Sequence, residues 1–242
     1  MNIHSVKSLG AIGLIAVTLP AALLSGCGPK EYVPTPVDEP KKIDAAAATP
    51  KTVIPLTPGK SWTYRIETVA AGAASAPADK DLMVMQVTGV QDTPKGQLAT
   101  LEFRRGDKVS DRQQWLVTDK GILQTSAGLS ETPYQPGQPL FLFPITPGKE
   151  VAWKGTGITP IGKPGKMDYT VISRAPEPVD TGMGKRTGIP VDSVGTFTAG
   201  NLKGGYSVTT WFEPNVGIVR LKQGILLSNG SITTTMVLTR QS

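Results

Sequence analysis

From Val53 onward, hydrophobic and polar residues alternate with a period of two, the pattern of half-buried β-strands. In residues 61–67, for example, Trp62, Tyr64 and Ile66 share one face while polar groups share the other. The same alternation predicts strands at residues 81–88, 97–104, 113–117, 122–125, 151–153, 167–173, 195–198, 206–212, 217–223, 225–228 and 231–239. No segment shows helical periodicity over three turns. The pattern therefore predicts an all-β, antiparallel fold.

Two landmarks recur in the same order along the chain. The run 56–60, which is followed by Trp62, is similar to the run 145–149, which is followed by Trp153. The segment around Trp115 is likewise similar to the segment around Trp211. This recurrence predicts an internal duplication, with one β unit at residues 53–132 and a second at 133–242. We expect the two tandem units to form a sandwich or an incomplete half-barrel.

The first 26 residues have the pattern of a secretory leader. Residues 1–8 carry one charged side chain, Lys7, and an apolar run follows over residues 9–24. This run is shorter than the ~20 residues that span a bilayer. The run 24–27 ends in Cys27 and resembles the lipobox of bacterial lipoproteins. The resemblance implies cleavage between Gly26 and Cys27 and attachment of diacylglycerol to the Cys27 thiol.

The predicted anchor implies a place in the cell. By resemblance to such lipoproteins, a residue other than aspartate at position 28, here Gly28, implies sorting to the outer membrane, and we expect the folded part to face the periplasm. Residues 27–52 are rich in proline and alanine and lack a periodic apolar face. We therefore expect a lipidated cysteine followed by a flexible tether.

Composition limits the chemistry that is available to the folded part. The only histidine is His4 and the only cysteine is Cys27, so nothing after the leader offers a histidine for catalysis or metal binding. We therefore expect no enzyme activity, no metal and no cofactor. The formal net charge of +6 is spread along the chain without a dense basic stripe, so no nucleic-acid partner is expected.

A family resemblance also covers most of residues 53–242. The opening Pro-x-x-x-Gly-x-x-Trp-x-Tyr at residues 55–64, and the late Trp-aromatic-x-Pro-x-Val-Gly-Ile-Val at residues 211–219, resemble a group of uncharacterised bacterial envelope lipoproteins. One position departs from that pattern, since Val194 stands where an alanine is usual. The resemblance implies a β-rich fold and assigns no activity or catalytic residue.

Three functions are consistent with these features. The first is a lipid-anchored, non-catalytic binding or scaffolding module whose partner is an envelope protein, and the second is a carrier of an acyl chain or another apolar ligand in a β cavity. The third is a glycan hydrolase that uses Asp107, Asp111 and Glu213, with Arg104, Arg105 and Arg112 nearby in the sequence. The four tryptophans are expected in the core or, alternatively, on a ligand platform. The sequence identifies no ligand-binding residue.

Overall fold

Thirteen β-strands dominate the part of the chain that this computed structural model describes, namely residues 43–70, 82–228 and 230–241. The strands are β1 (Ser61–Ala70), β2 (Leu82–Thr93), β3 (Gly96–Arg105), β4 (Lys108–Thr118), β5 (Gly121–Ala127), β6 (Thr132–Leu142), β7 (Glu150–Ile158), β8 (Pro164–Ser173), β9 (Glu177–Thr181), β10 (Gly184–Ala199), β11 (Leu202–Glu213), β12 (Gly217–Leu227) and β13 (Gly230–Gln241). A 3-10 helix (Ala45–Ala47) and helix α1 (Pro50–Val53) precede them. The all-β, antiparallel prediction is confirmed.

Twelve of these strands close into a single antiparallel barrel, with β9 as an extra strand. Neighbours in sequence pair along the wall from β1 to β8, β13 pairs with β1, and β10 pairs with both β8 and β11. The β9 strand pairs only with the first part of β10. Closure gives every barrel strand a partner on both sides, so no barrel strand is left as an open sheet edge.

The prediction of a sandwich or half-barrel built from two tandem units is wrong. The expected boundary at residues 132/133 falls inside β6, and strands from both halves of the chain complete one wall, where Tyr64 pairs with Leu238. All described residues belong to one compact unit. The repeated Thr-Pro-Gly-Lys runs are instead two similar turns, each leading into a strand, with Gly59 and Gly148 both at positive φ.

One end of the barrel is plugged by the segment that precedes β1. Thr49 caps α1, because its hydroxyl accepts the Thr52 N–H while the Thr52 hydroxyl accepts the Thr49 N–H. Val53, the last residue of α1, and Ile54, which comes after it, are both fully buried. A Cβ added at Gly217 in the β11–β12 turn would lie 3.1 Å from Ile54, so the plug packs directly against that turn.

The folded part therefore begins earlier than the predicted boundary at Val53. Ala48 is buried, and Ile43 and Ala45 pack against the barrel core. Apolar contacts stabilise this short helical segment, which is too short to be stable alone in water. The predicted leader, the predicted lipidation site Cys27 and residues 28–42 of the predicted tether lie outside the described residues. None of the described helices is long and apolar enough to cross a membrane.

The wall has a weakly paired seam between β6 and β7. Gln135 and Thr156 form the only paired position along it, and three prolines in β6 (Pro133, Pro136 and Pro139) have no N–H to donate. Two side chains bridge the gap instead. The Tyr134 hydroxyl donates to the Ile158 carbonyl at 2.9 Å, and the Trp153 indole N–H donates to the Gly137 carbonyl at 3.0 Å.

Candidate ligand-binding lumen

The interior of the barrel is not completely filled by side chains. A chamber of about 570 Å³, which we name the deep chamber, extends from Phe212 and Ile218 near the plug to Met83 and Arg105 near the β3–β4 turn. Its size falls within the range of roughly 300–1,000 Å³ that is typical of small-molecule sites. Just over half of the lining residues are apolar, including Ile66, Met83, Phe103, Trp115, Leu140, Val191, Val208, Phe212, Leu221 and Met236.

A second chamber of about 700 Å³ lies towards the end opposite the plug. The turns that follow β5 and β7 line it, so this end is the mouth of the barrel; Leu129, Ser130, Thr159, Pro160 and Gly162 all contribute. Leu129 exposes 59% of its surface there. The lumen thus has apolar residues such as Phe212 and Ile218 at its plugged end and loops around its other end.

The two chambers share a ring of polar residues, which we name the polar belt. It consists of Ser110, Asp111, Gln113, Gln124, Gln138, Tyr206 and Gln223. These residues come from strands β4, β5, β6, β11 and β12, so the belt involves both halves of the chain. A ligand that extends from one chamber into the other contacts these residues.

Part of the belt is held in a fixed orientation by hydrogen bonds. The Trp115 indole N–H donates to Gln113 Oε1 at 2.9 Å, and Gln113 Nε2 donates to Asp111 Oδ2 at 2.7 Å. The Gly128 N–H donates to the other carboxylate oxygen, Asp111 Oδ1, at 2.7 Å. Asp111 therefore ties the lumen wall to the β5–β6 turn at the mouth, and the chain of bonds fixes the Gln113 amide.

Two other belt residues present polar atoms to the lumen. Gln138 is 9% exposed, and its Oε1 has no hydrogen-bond partner among the described residues. An unpaired buried acceptor costs free energy unless water or a ligand supplies a donor. Burial raises the pKa of the Tyr206 phenol far above its ordinary value, so this group stays neutral at physiological pH.

The carboxylates of the hydrolase hypothesis are not brought together. Asp107 is exposed in the β3–β4 turn, and Asp111 lies in the belt. Glu213 lies at the plugged end of β11, where its carboxylate accepts two N–H groups of Arg186. Hydrogen bonding to Glu213 raises the pKa of Arg186, so this contact is a stable ion pair.

The arginines of that hypothesis are likewise separated. Arg104 and Arg112 both pair with Glu102, and the hydrogen bond from Arg104 is the main cause that lowers the pKa of this carboxyl. Arg105 alone lines the deep chamber, with its side chain exposed. Within the described ranges, no three His, Cys, Asp or Glu side chains gather closely enough to hold a metal ion.

The four tryptophans have different environments, although the sequence predicted matching places. Trp62 is fully buried beside the plug, and Trp153 packs against Tyr169 with ring centroids 4.8 Å apart. Trp211 lies on the outer surface, where its N–H donates to Glu177 at 2.7 Å. Of the four, only Trp115 lines a chamber, the deep one, so the ligand-platform prediction fits this tryptophan only.

The glutamines of the belt were missed by sequence reasoning. Their signal lies in the alternation itself, since Gln113 is two residues from the buried Trp115 and four from the buried Val117. Gln124 likewise lies two residues after the fully buried Ile122. A glutamine on the buried face of a strand is unusual and points to a polar interior.

The fold and the lumen define a class of protein: a closed antiparallel barrel, plugged at one end, with an amphipathic interior. No family model matches the chain, and no curated protein does either. The chain is similar to a predicted exported protein with a YmcC-like fold from Bacteroides fragilis, with 14% identity, a TM-score of 0.45, and coverage of 77% of this chain and 96% of the other. It is also similar to a predicted lipoprotein from Parabacteroides distasonis, with 16% identity, a TM-score of 0.44, and coverage of 81% and 99%. Likeness at this level does not identify a function.

Proposed function

We propose that this protein binds a small amphipathic ligand inside its barrel and carries out no catalytic step. The observation that carries the proposal is the deep chamber of about 570 Å³ behind a polar belt. Ligand sites combine mostly apolar walls with a few convergent polar groups, and the lumen has both. An acyl chain or another apolar group would occupy the deep chamber, while the polar end of the ligand would meet the belt.

The shape of the barrel supports a binding role over a purely packed scaffold. A small barrel that serves only as a scaffold is filled by its inward side chains. Here Val208, Thr210 and Thr234 line open space in the deep chamber. The described hydrolase candidates, by contrast, are dispersed between a turn, the belt and the plugged end, which gives no pair of carboxylates facing one substrate bond.

The proposal predicts saturable uptake of an apolar dye by the full protein. N-phenyl-1-naphthylamine is neutral and becomes strongly fluorescent when it leaves water for an apolar site. We expect its fluorescence to rise to a plateau at one dye per barrel, with a dissociation constant on the order of micromolar, as suits a small ligand in a partly polar cavity. A rise that stays linear with dye concentration would contradict binding in the lumen.

We also propose that the chain is anchored by lipid on Cys27, at the outer membrane and facing the periplasm. The support comes from the lipobox-like run 24–27 and from Gly28. Several acyl chains, each contributing about 0.8 kcal/mol per buried methylene, make such an anchor effectively permanent. We expect Cys27→Ser to leave the outer-membrane fraction, as measured by membrane fractionation. A variant retained there to the same extent as the wild type would contradict the anchor.

A further inference from the structure

The charges that line the lumen are few and unevenly placed. Among the described residues that line the two chambers, Asp111 is the only carboxylate and Arg105 the only cation. Asp111 lies in the belt, half-buried, whereas the Arg105 side chain is exposed. Water screens an exposed cation far more than a partly buried anion. The electrostatic potential at the belt is therefore negative and comes mainly from Asp111.

The polar atoms of the belt suit a ligand that donates hydrogen bonds. Each Asp111 oxygen accepts one N–H and has a lone pair left, and Gln138 Oε1 is an unpaired acceptor. The amides of Gln124 and Gln223 add both donors and acceptors at the same level. A hydroxyl group can donate and accept, so it matches this set. A carboxylate head cannot donate, and it would be repelled by Asp111.

We propose that the ligand is a single-chain amphiphile with an uncharged, hydroxyl-bearing head, of the monoacylglycerol type. Its chain lies in the deep chamber beside Trp115, and its hydroxyls bond to Asp111 and Gln138 in the belt. Anionic chains of the same length bind more weakly because their head meets the Asp111 carboxylate. This assignment rests on the proposed ligand-binding function and specifies its ligand.

The test compares heads on one chain length in the full protein. Monolauroylglycerol, laurate and dodecyltrimethylammonium, each below its critical micelle concentration, compete with bound N-phenyl-1-naphthylamine. We expect monolauroylglycerol to displace half of the dye at a concentration at least about tenfold below that of laurate, since one mismatched buried polar contact has an effect of this size. Dodecyltrimethylammonium lacks a donor, but Asp111 attracts its positive charge, so it should compete better than laurate.

Two variants assign the selectivity to the belt. Asp111→Asn removes the charge and keeps one oxygen for the Gly128 N–H, while its NH₂ group replaces the oxygen that accepts from Gln113. Laurate should then compete about tenfold better relative to monolauroylglycerol, so the preference for the uncharged head should shrink by that factor. Gln138→Leu should weaken monolauroylglycerol by a larger factor than the dye, because only the head-group hydroxyl uses the Gln138 acceptor. Arg105→Gln is the matched change at the exposed cation, and it should alter the preference for monolauroylglycerol over laurate much less than Asp111→Asn does. Circular dichroism confirms that each variant is folded.

The outcomes separate the two proposals. Absence of saturable dye binding, or of displacement by any of the amphiphiles, overturns ligand binding in the lumen itself. If monolauroylglycerol and laurate displace the dye equally well, and Asp111→Asn does not change this result, the head-group assignment alone is overturned. Tighter binding of laurate that is lost in Arg105→Gln overturns it as well, and identifies the exposed cation as the determinant.

Discussion

Replacing Trp62 with alanine is expected to lower the free energy of unfolding by about 3–5 kcal/mol, the range for a buried aromatic reduced to a methyl group. Trp62 is fully buried, and its indole N–H donates to the Val216 carbonyl at 2.6 Å. Its ring also lies beside the Gly217 turn and the plug residue Ile54. The substitution therefore leaves a cavity where the plug, β1 and the β11–β12 turn meet.

Denaturant unfolding followed by far-ultraviolet circular dichroism measures this loss without depending on tryptophan emission. Trp62→Phe keeps most of the ring and loses the hydrogen bond, so a smaller loss of about 1–2 kcal/mol is expected. Leu226→Ala is the surface control, because Leu226 is 63% exposed and such changes stay within about 0.5 kcal/mol. A loss below about 1 kcal/mol in Trp62→Ala would mean that the plug does not stabilise the barrel.

The strands were predictable because each is a local pattern. In β1 the inward residues Trp62, Tyr64 and Ile66 are all buried, as the period of two requires. Strand β6 is not among the strands that the alternation predicts, because Pro133, Pro136 and Pro139 interrupt its pattern. Those prolines also remove ladder hydrogen bonds, so the same residues that obscured the strand weaken its pairing with β7.

Closure of the barrel has no local signal of this kind. It depends on β13 pairing with β1, strands from opposite ends of the folded part, and on β10 reaching both β8 and β11. Recurring motifs suggested instead two separate units. The recurrence is real at the strand-entry turns, but Trp115 points into the barrel while Trp211 points out, so the second pair of landmarks is not structurally equivalent.

The lumen could be predicted only in part for a related reason. Alternation assigns Gln113 and Gln124 to inward faces, yet it does not reveal that five strands bring their polar residues to one level. That level is set by the register between neighbouring strands, in which Gln124 pairs with Gln138 and Val208 pairs with Gln223. Register is a property of the folded sheet, and β-bulges shift it within several of these pairs.

The central claim, that the lumen is the binding site, is tested most directly by filling it. Val208 lines the deep chamber, whereas the neighbouring Ser207 is exposed on the other face of β11. In a titration with N-phenyl-1-naphthylamine, we expect Val208→Trp to reduce the affinity by at least about tenfold, because the indole takes part of the space beside the dye. Ser207→Trp adds the same indole outside the barrel, so it should bind the dye like the wild type. Unchanged affinity in a folded Val208→Trp protein, or an equal loss in both variants, would contradict a binding site inside the barrel.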